Sequence, residues 1–175
     1  MNIFHLDKSP YVAAMWLCDK HVPKMILETA QMLSTAHHYH NSPYAADVYK
    51  AAYVHHPMTQ WVWASGNNYQ WAFAHYMYLC DEFNARGFKG GVDHASKRLS
   101  IYLEYLPPAL EPSFDLSDWM SSITPPPLCM PEVYYRDCHV DAYRAYYKGD
   151  KSSFAVWERG SPAPSWWEEM PCAVA

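Results

Sequence analysis

The sequence predicts an all-α fold: a compact bundle of several helices around two long ones, with a Pro-rich extended segment and an aromatic C-terminal tail. Three observations carry this. Apolar residues recur at helical spacing through two long stretches, 23–40 and 57–86. Prolines stand at or near the points where helices would start, at Pro10, Pro23 and Pro57, where their missing N–H costs nothing. Alternating apolar and polar runs of the kind that make strands are nearly absent.

Taken in order, Ser9-Pro10 offers an N-cap followed by Pro at the first helical position, opening a helix expected to reach about His21. Pro23 lies in the first turn of a longer helix that continues to about His40, and Asn41-Ser42-Pro43 ends it. A short helical piece is expected over Ala45 to Val54. Pro57 opens the second long helical pattern, running to Arg86 with a weak spot at Gly66-Asn67-Asn68 and a C-cap at Gly87. Ala95 to Tyr105 forms a further candidate helix. Between Pro107 and Pro131 the prolines, Pro125-Pro126-Pro127 among them, predict an extended surface segment. Val140 to Lys148 reads as a short amphipathic helix ending at Gly149, and the tail carries Trp157, Trp166 and Trp167.

Composition narrows the function classes. With 175 residues, 50% hydrophobic and 18% charged, the chain fits a single domain over 1–175 and excludes a disordered chain. Six glycines exclude a collagen-like repeat. No run of eighteen apolar residues occurs, so no membrane partner is expected. The first eight residues lack the basic and apolar regions of a signal peptide. Five cysteines without a CxxC pair suggest reduced thiols and a cytoplasmic location. The net charge of −5 excludes a chain-wide basic field, so nucleic-acid binding would need a local patch. No P-loop, GxGxxG or GxSxG is present.

His21, Lys24, Glu28, Gln31, Thr35 and His38 share one face of the first long helix. A solvated face with a Lys24–Glu28 pair is the bland reading. The stripe is nonetheless rich in hydrogen-bonding groups and begins at a helix N-terminus, where anions are favoured. His56 before Pro57 stands at another such terminus. Cys18 with His21, His37, His38, His40, His55, His56 and His75 could supply metal ligands, although no HExxH or paired CxxC supports this. The aromatic residues from Trp61 to Tyr78 suit core packing more than base stacking. Tyr134, Tyr135, Tyr143, Tyr146 and Tyr147, mixed with Arg136, Arg144 and Lys148, suit a nucleic-acid surface and a packed tail helix about equally.

The pieces Asp19-Lys20-His21, Glu28, His56-Pro57 and Glu82 with Arg86-Gly87-Phe88 follow one another at a recognisable spacing. In this the chain resembles the pyrimidine-dimer DNA glycosylase (endonuclease V) family and its bacterial and phage relatives. The likeness covers residues 1–88, with a fainter echo at Tyr143-Arg144-Ala145-Tyr146-Tyr147-Lys148-Gly149. It implies a small helical enzyme acting on damaged duplex DNA without a cofactor or metal. The chain's own α-amine would attack the sugar C1′, form a Schiff base and nick the strand by β-elimination.

The essential glutamate of that family falls on Glu28. In the phage enzyme the initiator Met is removed and a Thr amine attacks. Here residue 2 is Asn, too large for the usual removal, so the expected nucleophile is the Met1 amine. An α-amine is far less protonated near neutral pH than a lysine, with a reference pKa of about 7.7–8.0 against about 10.4. His21 and Lys24 are expected to orient Glu28 or meet a phosphate, with Asp19 fixing His21. Asn2, Lys20, His56, Asn68, Arg86 and Lys89 are the expected DNA contacts. The expected partner is damaged double-stranded DNA, and the expected state is a monomer. Two alternatives stand beside this reading. One is a metal-dependent enzyme using His21, Glu28 and His56 or His75; the other is a non-enzymatic protein-binding module.

Overall fold

A computed structural model describes residues 2–110 and 122–169. Among these the chain forms helices and turns and no strand. Helix α1 spans Pro10–Met15, with Ser9 in extended backbone accepting from the Val12 N–H. It stops well short of the expected end at His21. The reason is a side chain: the Arg86 guanidinium takes up the Met15 and Leu17 carbonyls at 2.7 and 2.8 Å, where a further helical turn would have done so. Helix α2 follows as His21–Tyr39 and places Pro23 in its first turn, where no intrahelical N–H is needed.

The second long pattern is two helices, α3 over Pro57–Ala64 and α4 over Gly66–Ala85. The break falls at Ser65, which is extended (φ −154°, ψ 158°) and caps α4 by accepting from the Asn68 N–H at 3.2 Å. The Asn68 side chain donates to the Trp61 carbonyl at 2.9 Å, satisfying one of the acceptors freed at the end of α3. After α4 the chain reverses at Gly87, whose φ of 66° is the left-handed conformation glycine adopts at no steric cost.

Residues 45–54 form turns and extended chain where a short helix was expected. The Tyr49 and Ala52 backbone groups among them are satisfied by α2 side chains instead. The Tyr49 and Ala52 N–H groups donate to Ser34 Oγ and Thr35 Oγ1, and His38 Nε2 donates to the Tyr49 carbonyl at 3.0 Å. The candidate helix at 95–105 is a 3₁₀ turn, Ala95–Leu99, running into a single α turn, α5, at Ser100–Leu103.

The described part of the Pro-rich segment, 122–131, is non-helical as expected, while 111–121 lies outside the described residues. Helix α6 spans His139–Lys151 and passes through Gly149 rather than ending there. The Tyr134 ring lies so close to Gly149 that a Cβ at that position would sit 2.5 Å from it. The short helix α7, Ser165–Glu169, brings Trp166 and Trp167 onto the bundle.

Helix α2 packs on α3 and α4, and α1 packs on α4. Residues 2–6 thread into this core as a buried strand-like segment without sheet partners. Ile3 and Leu6 are fully buried, each gaining about 2 kcal/mol over exposure. Phe4 stacks on His21 and meets Tyr147 edge-on, while His5 stacks on Trp71 with ring centres 3.8 Å apart. The start of the chain thereby bridges α2, α4 and α6.

Among the described residues no helix is long and apolar enough to cross a membrane. The aromatic run from Trp61 to Tyr78 packs mainly inward: Trp61, Trp63, Tyr69, Trp71 and Tyr76 are all buried.

Candidate active site

The burial of residues 3–6 determines what residue 2 can touch. Asn2 is 8% exposed. Its backbone N–H donates to Glu28 Oε2 at 3.1 Å. Its side-chain Nδ2 donates to the Cys129 carbonyl at 3.0 Å, and its Oδ1 accepts from the Ile3 N–H and from the Tyr143 hydroxyl at 2.9 and 3.2 Å. Residue 2 is therefore held by α2, by the loop before α6 and by α6 itself. Met1, the expected nucleophile, lies outside the described residues.

Glu28 sits on the second turn of α2, half-buried. Its other oxygen, Oε1, lies 3.7 Å from Lys24 Nζ one turn earlier, and the Lys24 side chain is 60% exposed. His56 caps α3 by accepting the Met58 N–H on Nδ1 at 3.2 Å, which leaves its Nε2 edge for other contacts. Burial lowers the His56 pKa, and the nearby Glu28 carboxylate opposes that shift. Asn2, Lys24, Glu28 and His56 thus come together from three separate stretches of chain.

The remainder of the α2 stripe has other partners. His21 is buried, stacked on Phe4, and its Nδ1 is 2.7 Å from the Tyr147 hydroxyl. That hydroxyl accepts from the Cys18 N–H, so its own proton is free to go to the imidazole. Burial, reinforced by Lys24, Lys151 and Lys20, lowers the His21 pKa to about 3 and keeps the ring neutral. Asp19, expected to fix His21, instead accepts from Arg86 Nη1 at 3.0 Å and from the Glu158 N–H at 2.7 Å. Thr35 and His38 hold the 45–54 segment in the way already described.

Of the six expected DNA contacts, Asn2 is buried with its side chain on Cys129, Ile3 and Tyr143, and His56 caps α3; the other four fall into two groups. Lys20 and Lys89 are exposed, Lys20 with its Nζ 4.3 Å above the Phe154 ring. Arg86 and Asn68 are inside. Arg86 is 4% exposed and spends its donors on Glu82, Asp19, Leu17 and Met15. Asn68 is fully buried, donating to the Trp61 carbonyl and Thr124 Oγ1 and accepting from the Thr124 N–H. Tyr143 and Tyr147 are also buried, while Tyr135 and Arg136 face solvent. Among the described residues no three His, Cys, Asp or Glu side chains are grouped so that they could hold a metal ion. His75, considered as a ligand, stacks on Trp71 with its Nδ1 on the Pro10 carbonyl.

Sequence reasoning missed Tyr143 and Tyr147 as partners of Asn2 and His21. Their four-residue spacing on α6 was the available signal, since it puts both rings on one face.

A family model described as pyrimidine dimer DNA glycosylase matches residues 1–95, the stretch that holds Asn2, Lys24, Glu28 and His56. Comparison with curated proteins and with solved structures gives no match.

Proposed function

The chain belongs to the pyrimidine dimer DNA glycosylase family, and we propose that it excises damaged or modified pyrimidines from duplex DNA through a Schiff base on its own α-amine, with Glu28 as the essential carboxylate. The observation that carries this is the 3.1 Å hydrogen bond from the Asn2 N–H to Glu28. Covalent geometry keeps an amine one residue upstream within about 3–4 Å of that nitrogen, whatever the intervening torsion. An α-amine keeps a neutral fraction near neutral pH, and a half-buried carboxylate beside it can take up the proton it must lose.

In the proposed reaction the neutral amine attacks C1′ and the bond from C1′ to the base breaks. The base leaves with the electron pair and takes up a proton. Loss of a proton from nitrogen and opening of the sugar give the imine. Abstraction of a 2′ proton then expels the 3′ phosphate. Glu28 serves as the proton carrier and stabilises the cationic stages. Lys24 sets the orientation of Glu28, and Lys20, Lys89 and His56 meet the DNA backbone. Neutral, buried His21 supports the first turn of α2. A damaged site is the cheaper one to open because its base is already poorly stacked.

Borohydride trapping on a UV-irradiated duplex, with an abasic-site duplex beside it, tests this directly. The expected result is a covalent adduct mapped by mass spectrometry to the Met1 amine, with Glu28→Gln abolishing it and leaving duplex binding in place. An adduct on a lysine would move the nucleophile. No adduct on either duplex would remove the imine chemistry.

A further inference from the structure

We infer that Tyr143 and the Cys129 carbonyl are positioning groups for the amino-terminal nucleophile, so that the half of the chain beyond the matched residues completes the site. The inference rests on the Schiff-base reading and goes beyond it. Residues 127–143 lie outside the matched 1–95, yet two of the four hydrogen bonds that fix Asn2 come from them, at Cys129 O and Tyr143 Oη. The Tyr143 hydroxyl shares its proton between Asn2 Oδ1 and the Pro127 carbonyl, at 3.2 and 2.7 Å, which also fixes the loop that carries Cys129. The Tyr143 ring is fully buried, so this grip has little freedom to drift.

The identity of residue 2 fits the task. A carboxamide donates and accepts at once. Nδ2 meets a carbonyl and Oδ1 meets a hydroxyl and an N–H, a combination that Asp, lacking the donor, could not reproduce. Asp would also bring a second carboxylate close to Glu28. With Asn2 held on both sides, a planar peptide bond and one rotatable backbone bond are all that separate it from an amine one residue upstream. Reacting atoms must approach to about 3–3.5 Å in line, and a misplacement of about 1 Å can cost 100-fold in rate.

Tyr143→Phe removes the hydroxyl and keeps the ring. Single-turnover trapping on an abasic-site duplex is expected to slow about tenfold or more, while the affinity for that duplex stays within twofold. Asn2→Leu, which removes the carboxamide and is still too large for initiator Met removal, should give a similar loss, and the double variant should be no slower than the worse single one, because both remove the same grip. Should Tyr143→Phe fail to fold, Asn2→Leu carries the test alone.

A second readout needs no DNA. The α-amine is titrated by NMR in the wild type, Tyr143→Phe and Glu28→Gln. Glu28→Gln is expected to shift the amine titration, and Tyr143→Phe should move it toward the Glu28→Gln value. Wild-type trapping rates in Tyr143→Phe and Asn2→Leu, or additive losses with an unmoved titration, would overturn the inference. If the wild type forms no adduct on any duplex, the Schiff-base reading fails by itself. The amine titration then still decides whether Tyr143 positions the terminus.

Discussion

Replacing Arg86 by Met should destabilise the protein by about 4 kcal/mol. The side chain is 1% exposed, and its partners Asp19 and Glu82 are 9% and 13% exposed. Its Nε reaches Glu82 at 2.9 Å, Nη1 reaches Asp19 at 3.0 Å and the Leu17 carbonyl at 2.8 Å, and Nη2 reaches the Met15 carbonyl at 2.7 Å. Methionine fills much of the volume but leaves two carboxylates facing each other without their cation and two carbonyls without a donor. Removing one member of a buried ionic group costs about 3–5 kcal/mol. Each orphaned carbonyl adds about 1–3 kcal/mol before relaxation, and overlap between these terms keeps the sum within the ionic range, at about 4 kcal/mol. For a chain of this length about 4 kcal/mol lowers Tm by roughly 8–16 °C. Arg86→Lys keeps the charge and loses the fork, so about half the loss is expected. Thermal and urea unfolding followed by circular dichroism read both. A Met variant within about 1 kcal/mol of wild type that binds DNA with a shallower salt dependence would refute the reasoning. It would put the guanidinium on a phosphate.

Two further outcomes follow from buried groups. Burial holds His5, His21, His37 and His75 neutral, with the pKa lowered to about 3 for His21 and about 4 for His37 and His75. The unfolded chain protonates these rings near pH 6.5, so it binds more protons below that value. Stability is full above about pH 7 and falls as pH drops from 6.5 toward 4, by up to about 1.4 kcal/mol per pH unit for each histidine. The urea midpoint should therefore decline between pH 6.5 and 5, and His75→Gln should make the decline shallower; a flat profile would contradict the burial. Asn68→Ala should cost about 2–4 kcal/mol, since the Trp61 carbonyl and the Thr124 N–H lose their partner. Duplex affinity measured at fixed salt should not change. Weakened binding with intact stability would return Asn68 to the DNA surface.

The helical class was legible because it depends on local chemistry. Ser9-Pro10, Pro57 and Gly87 act within one turn of themselves, and all three do in the structure what their residue types prescribe. The failures share a cause. Helix α1 stops at Met15 because of an arginine 71 residues away, and residues 45–54 are extended because serine, threonine and histidine side chains on α2 offer their backbone an alternative. The weak spot at Gly66-Asn67-Asn68 became a full break, since Ser65 could cap the new helix and Asn68 could satisfy the old one. Periodicity reports which residues share a face, not which distant group will satisfy a carbonyl.

The site divides along the same line. The α2 stripe was visible as a polar face, but its two ends have different uses: Lys24 and Glu28 face the start of the chain, while Thr35 and His38 tie down a loop. The Arg86 motif was visible too, and a positive residue in a DNA-enzyme motif invites a phosphate. Only the fold shows that Asp19 and Glu82 occupy it first. With Arg86 inside, the candidate cations left on the surface near the motif residues are Lys20, Lys24 and Lys89. Each phosphate neutralised adds about 0.9 to the salt slope of duplex binding, so three such contacts provide only a modest sequence-independent hold on a chain of net charge −5. On the proposed reading, discrimination therefore rests on the lower cost of opening a damaged site and on the placement of the amine, rather than on electrostatic capture.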